Sequence, residues 1–298
     1  MPHSHVDASL VGAVSLHTGF LLDVDGPISS PSSRTLRAPG LADALVTLAN
    51  AGCVVALNTG RSEAFLRDRI VPVLREHGLR QDAPLWGIGE KGGVWSHLAS
   101  GGETHSDERL ALDSALLAAI ERMAATEFSD IVFWDDTKLT MASLEQRLDC
   151  SDEVYRARRH ELDLRVAEVI RGCGYALAWE GREDLSDQGA TVRLDPTIIA
   201  SDVEHVGTGK DTGARLLVEL LRNHGVLVPT SWLTMGDSRT DYAMAWWLHD
   251  NGWPVTHVDV RPADGVPHCP FPVLTHPEFI HDDAGAWFAK QWAQALNN

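Results

Sequence analysis

Along the chain, short apolar runs end abruptly in polar or acidic clusters, and stretches with apolar residues at helical spacing separate them. The first run, Phe20-Leu-Leu, closes on Asp23-Val-Asp25-Gly26 and predicts a buried strand whose C-terminal end delivers two carboxylates to a loop. Residues 27–39, rich in Ser and Pro, predict a loop, and residues 41–50 a helix closed by Ala51-Gly52. Cys53-Val-Val-Ala-Leu57 predicts a second buried strand, ending in Asn58-Thr59-Gly60-Arg61. Helical spacing over 62–77, with Pro72 as a kink or stop, precedes another apolar strand at 85–88. Strands alternating with helices in this way build a parallel sheet with crossover helices.

The rhythm changes beyond a polar, Gly-bearing link at 100–106. A helix is predicted at 108–125, then strands at 130–134 and 138–142 joined by a turn at Asp135-Asp136-Thr137. A charged amphipathic helix at 151–171 and strands at 175–179 and 190–194 follow. Helix–strand–strand given twice predicts an antiparallel α+β module. From Lys210 the first rhythm returns: a helix at 211–224, a strand at 232–235 ending in Gly236-Asp-Ser-Arg-Thr-Asp241, a helix at 242–249 and a strand at 255–260. Residues 262–277 are Pro-rich and irregular, and 284–296 reads as an amphipathic end helix.

Composition narrows the partners. With 298 residues, 44% of them hydrophobic and 22% charged, the chain can bury the core of a globular protein. A formal net charge of −17 argues against nucleic acid or anionic membrane, since both need a basic face. An anionic substrate must therefore be drawn in by a local cation. Four scattered cysteines without metal-type spacing point to a reduced, cytoplasmic setting. No apolar run approaches the ~20 residues of a membrane span, and residues 1–18 lack the basic-then-apolar order of a signal peptide.

Four polar clusters sit just beyond predicted strands or at the opening of a helix: Asp23 with Asp25, Thr59, Lys210, and Asp237 with Asp241. In open parallel sheets that edge is where ligands bind. Carboxylates from two strand ends, with no Cys or His alongside, make a hard oxygen site suited to Mg2+. A hydroxyl and an ammonium beside such an ion suit phosphoryl oxygens, so phosphoryl transfer is the economical chemistry.

These stretches resemble, in order, the four motifs of the haloacid dehalogenase superfamily of phosphatases: Asp23-Val-Asp-Gly-Pro27, Thr59 after an apolar strand, Lys210 opening a helix, and Gly236 to Asp241 as Gly-Asp-x-x-x-Asp. The resemblance implies an α/β fold, a Rossmann-like parallel-sheet core at 1–103 and 200–298 with an inserted α+β cap domain at 104–199. It further implies Asp23 as nucleophile, forming an aspartyl-phosphate, and Asp25 as general acid, then base. Mg2+ would be held by Asp23, the backbone carbonyl of Asp25, and Asp237, with Asp241 a ligand or supporting group. Thr59 and Lys210 would bind the phosphoryl group, with the backbone at Gly26 and Gly60 completing the cradle. Pro27 departs from the family's usual Thr or Val and offers no N–H, which puts the cradle's geometry in question.

Residues 24–58 are too few to hold a domain, whereas 60–209 hold the α+β module. That placement resembles the sugar-phosphate phosphatase branch, which also contains phosphomannomutases, and Gly89-Glu-Lys-Gly-Gly-Val94 resembles its Glu-Asn-Gly-type turn. The expected substrate is a small phosphorylated metabolite, a sugar phosphate first, handled by a monomer or homodimer. A mutase is disfavoured by Asp135, which stands near the place where mutases carry an arginine. A non-catalytic phospholigand binder has only Pro27 in its favour. Gly87-x-Gly89-x-x-Gly92 reads as a turn, since no helix is predicted after it, and Gly207-Thr-Gly-Lys210 lacks the upstream glycine and the Ser/Thr of a nucleotide loop. Trp246-Trp247 reads as core packing and the His276–His281 stretch as a surface loop.

Overall fold

The computed structural model describes residues 14–31, 33–182, 189–197 and 199–297. In chain order the elements begin with β1 (Thr18–Leu22), α1 (Leu41–Asn50), β2 (Val55–Asn58), α2 (Glu63–Phe65), α3 (Val71–Glu76), β3 (Leu85–Gly89), β4 (Val94–His97) and β5 (His105–Ser106). They continue with α4 (Ser114–Glu127), β6 (Val132–Trp134), β7 (Ala142–Gln146), α5 (Asp152–Gly172), β8 (Leu177–Trp179), β9 (Val192–Pro196) and β10 (Ala200–His205). The chain closes with α6 (Lys210–Asn223), β11 (Ser231–Gly236), α7 (Tyr242–Asp250), β12 (Val255–Asp259), β13 (Val273–Leu274) and α8 (His281–Leu296). Two units result, Met1–His105 with Gly209–Asn298, and Ser106–Thr208.

The first unit is built on a sheet ordered β13-β12-β11-β1-β2-β3-β4-β5. It is parallel from β13 to β3, and β4 runs antiparallel to β3. Strand β1 reads as an unbroken apolar run because both of its faces are buried. Phe20 and Leu22 pack with Leu41, Leu45 and Trp292 on one side, while Leu21 joins Leu217, Leu221 and Leu248 on the other. Register decides where the polar clusters emerge. Leu22 lies opposite both Leu57 and Met235, so the residues that follow β1, β2 and β11 leave the sheet at one edge.

Two local features depart from the sequence expectations. The helix at 62–77 is interrupted by a π-helical turn, Leu66–Ile70, and Pro72 falls directly behind it, in the first turn of α3. After β3 the left-handed backbone of Glu90 and Lys91 (φ 50° and 53°) turns the chain back into β4, a strand the apolar pattern did not reveal. The glycine pattern at 87–92 is thus a strand and turn, as expected.

The second unit has a sheet ordered β6-β7-β10-β9-β8, with α4 and α5 packed on the face that buries Ala142, Leu144, Val192, Leu194 and Val203. Helix α4 begins at Ser114, not near residue 108, because the Asp113 carboxylate takes the Ala115 and Leu116 N–H groups (2.8 and 3.3 Å). The strand expected at 138–142 lies at β7 instead, since the Asp135 carboxylate accepts the Thr137 N–H (3.0 Å) and prolongs the turn. Pairing is not wholly antiparallel either: β8 and β9 run parallel. Residues 200–208, expected with the core, belong to the second unit, because β10 pairs with both β7 and β9.

Candidate active site

Asp23 follows β1 directly and is 6% exposed. One of its oxygens accepts a hydrogen bond from Lys210 Nζ at 2.5 Å. The ammonium also reaches the Asn58 carbonyl at 2.8 Å and Asp241 Oδ1 at 2.8 Å. Lys210 is the first residue of α6, and Asn58 holds that end in place by donating its side-chain N–H to the Lys210 carbonyl (2.8 Å). Gly213, one turn along, lets the helix approach: a Cβ there would lie 2.2 Å from Asn58 Oδ1.

The fourth cluster is arranged around Asp241. Its Oδ2 accepts the N–H groups of Asp237 (3.1 Å) and Ser238 (2.9 Å) and the Ser238 hydroxyl (2.8 Å), while Oδ1 faces Lys210. Oδ2 is thereby occupied and Oδ1 is ion-paired with the ammonium, so Asp241 supports both the loop and Lys210. Asp237 differs. Among the described residues its carboxylate accepts no hydrogen bond, and His281 Nδ1, on an imidazole whose proton affinity burial lowers, lies 3.5 Å away. Its carbonyl is held by Arg261 Nε (2.9 Å), whose backbone N–H is fixed by Asp259 (2.8 Å), itself bonded by the Tyr242 hydroxyl (2.7 Å).

Asp23, Asp237 and Asp241 bring one oxygen each within 4.8 Å of one another. Their charge is under-compensated. Burial, then the neighbouring carboxylates Asp241, Asp25 and Asp237, push Asp23 well above the usual carboxylate range despite Lys210. Burial and the nearby Asp241 push Asp237 up to about 7. Burial acts upward on Asp241 too, but Lys210 and the Ser238 donors overcome it and hold that carboxyl low. Burial pulls Lys210 down, yet Asp23 and Asp241 more than offset it, so the ammonium stays charged. A hard divalent cation fits such a set, with oxygen donors only and an Asp237 carboxylate that no hydrogen bond satisfies.

Asp25, two residues on, is not one of the three clustered carboxylates. Both its oxygens are taken by Arg61, Nε to Oδ2 at 2.9 Å and Nη2 to Oδ1 at 3.1 Å. Thr59 follows β2 on the same sheet edge and is fully buried, its hydroxyl accepting the Arg61 N–H at 3.1 Å. Beside it, a Cβ on Gly60 would lie 3.6 Å from Lys91 Cε. Gly26 does not offer its amide as a cradle, because that N–H is given to the Ser29 carbonyl (3.0 Å). Glycine is needed there for another reason: φ is +102° and a Cβ would lie 2.5 Å from Asp237 Oδ2. Pro27 also finds an account. The loop closes through the Ile28 and Ser29 N–H groups on the Val24 carbonyl (3.1 and 2.7 Å), so no donor is required at 27.

Sequence reasoning missed Asn58, Arg61, Arg261 and His281. Arg61 stood in the motif itself, but its partner lies 36 residues away on another loop. His281, read as part of a surface loop, approaches Asp237, and His276 is buried at 9% exposure. Trp246, expected in the core, is 38% exposed with its ring edge-on to Phe271.

No family model matches the chain, and no curated protein matches it by sequence. Solved structures do. The C-terminal domain of the C. albicans trehalose-6-phosphate phosphatase is 14% identical, with 94% of this chain and 93% of that one covered at a TM-score of 0.66. A haloacid dehalogenase-like hydrolase from Bacteroides thetaiotaomicron is 12% identical, covering 92% and 98% with a TM-score of 0.56. The Aspergillus fumigatus trehalose-6-phosphate phosphatase is 16% identical, covering 97% and 98% with a TM-score of 0.52. The chain therefore shares its fold with these solved structures, two of them trehalose-6-phosphate phosphatases and one a haloacid dehalogenase-like hydrolase.

Proposed function

We propose that the protein is a Mg2+-dependent phosphomonoester hydrolase working through an aspartyl-phosphate on a small phosphorylated metabolite, a sugar phosphate in the first instance. The observation that carries this reading is the meeting of Asp23, Lys210, Asp237 and Asp241 at one sheet edge, with Lys210 Nζ 2.5 Å from Asp23 Oδ1. Lys210 leaves one carboxylate oxygen of Asp23 to attack phosphorus. The ester P–O bond then breaks, its electron pair passing to the ester oxygen, which takes a proton from Asp25. In the second half a water oxygen attacks the phosphoryl group and loses its proton to Asp25, and the P–O bond to Asp23 breaks to release phosphate. Asp23, Asp237 and the Asp25 carbonyl would hold Mg2+, which supplies charge for the phosphoryl oxygens when bound. Asp241 acts by fixing Lys210 and the 237–238 loop. Thr59 and Lys210 are the proposed phosphoryl ligands, and the inserted unit is the proposed source of leaving-group discrimination.

The sugar-phosphate class is supported by the likeness to trehalose-6-phosphate phosphatases. All four cysteines are free, which fits a reducing, cytoplasmic setting, and no helix among the described residues is long and apolar enough to cross a membrane. The test is phosphate release from a panel of sugar phosphates and nucleoside monophosphates with Mg2+. Phosphate from at least one sugar phosphate is expected. Isomerised product without free phosphate would instead make the chain a mutase, and no product from any ester would leave a ligand-binding role.

Metal binding is separately measurable. Asp237 has a folded-state value near 7 against an ordinary value near 3.8, so the folded chain holds the extra proton between those limits. Metal-free stability should accordingly decline as pH rises from about 4 to about 7. Mg2+ binds the ionised form, so its thermal stabilisation should be larger at pH 8 than at pH 5.5. Asp237→Ala should remove the Mg2+ shift while metal-free stability holds or rises. A large metal-free loss in that variant would mark Asp237 as structural.

A further inference from the structure

We infer that Arg61 is a positioning residue for Asp25, holding its carboxylate where the proton must be delivered and recovered; this rests on the phosphatase reading above. The pair joins two loops, one after β1 and one after β2. Its geometry is fork to fork, Nε to Oδ2 at 2.9 Å and Nη2 to Oδ1 at 3.1 Å. The two partners differ in freedom. The Asp25 side chain is 43% exposed and no strand constrains it, whereas the Arg61 side chain is 11% exposed. Arg61 is anchored independently. Its N–H donates to Thr59 Oγ1 (3.1 Å), its carbonyl accepts the Glu90 N–H (2.9 Å), and its guanidinium lies over the Phe65 ring, 5.0 Å from the centroid.

Ion pairs at a surface are usually weak because two flexible side chains must both be ordered. Here one partner is already ordered, so the planar fork sets the direction of the other. Each Asp25 oxygen accepts one bond from the fork and keeps a second lone pair. The proton to be delivered sits on that free side, and the fork keeps the carboxyl from swinging away as the leaving group arrives. The proton then passes from Asp25 to the ester oxygen as the P–O bond breaks, and back to Asp25 from the attacking water. Arg61 makes no bond to phosphorus in either half.

A residue that acts through the proton donor reveals itself by leaving-group dependence. A sugar phosphate leaves as an alkoxide and needs the proton, whereas 2,4-dinitrophenyl phosphate leaves as a stable anion and does not. In Arg61→Ala, kcat/KM for the sugar ester should fall about 10²-fold and that for the dinitrophenyl ester by less than about 10-fold, the gap reflecting lost proton transfer. Added guanidinium ion should restore part of the sugar-ester rate. Arg61→Lys, which keeps a charge and a stem over Phe65 without the fork, tests the same point if the alanine variant folds poorly. Its loss should again be greater for the sugar ester. Equal losses on both esters in these variants would overturn the inference and make Arg61 a general prop or a phosphoryl ligand. A wild-type chain inert towards both esters would instead sink the phosphatase reading, and this inference with it.

Discussion

Asp23→Asn is expected to lower turnover of any phosphomonoester by at least ~10³-fold, the scale of losing a catalytic group. An amide nitrogen or oxygen cannot serve as the attacking carboxylate, so no acyl-phosphate forms. The variant should remain folded. Asp23 is one of several acidic groups crowded at the sheet edge, and burial with its carboxylate neighbours already disfavours its charge. Lys210 keeps Asp241 as a partner at 2.8 Å. Metal-free melting temperature should therefore hold or rise while activity disappears. Residual activity above a tenth of wild type would mean that another group attacks phosphorus, whatever the fold.

The second large effect concerns stability. Lys210→Met should destabilise the fold by roughly 3–5 kcal/mol, the cost typical of removing one partner from a buried ion pair. The Lys210 side chain is 8% exposed and its ammonium is shared between Asp23 and Asp241, so its loss leaves two buried carboxylates without their cation. The sign of the pH dependence follows. Both acids would then titrate higher in the folded chain than in the unfolded one, so the folded chain gains protons as pH falls. The destabilisation should be greatest near pH 8 and shrink towards pH 5. Adding Asp241→Asn to Lys210→Met should recover part of the loss, because the two residues act as one unit. Denaturant unfolding at the two pH values measures this. A loss below about 1 kcal/mol, unchanged by pH, would show that the Lys210 network does not hold the core together.

Much of this architecture is legible from local pattern. The runs at Phe20–Leu22 and Cys53–Leu57 are apolar on both faces, as is Trp232–Met235 apart from Thr234, and such runs suit a strand inside a covered sheet. Each ends at the residue that matters, so Asp23, Thr59 and Asp237 could be placed at a strand's C-terminal edge, and Lys210 at a helix start, before any contact was known. The doubled helix–strand–strand order likewise marked an inserted module.

What only the tertiary structure decided depends on pairings between residues distant in sequence. That Asp25 is gripped by Arg61 follows from β1 and β2 lying side by side in register, a long-range fact with no local signature. That Asp241 supports the loop while the Asp237 carboxylate is left without a hydrogen-bond donor depends on which oxygen each loop amide reaches, set by the turn at Ser238. β10 could not be assigned from pattern because Ala200-Ser-Asp-Val-Glu-His205 is largely polar. Its Asp202 and Glu204 are buried only because Ser143 and Arg193 on the neighbouring strands meet them, at 2.6 Å each. Hydrophobic periodicity reports which residues avoid water. It carries no record of which buried polar group has a partner waiting across the sheet.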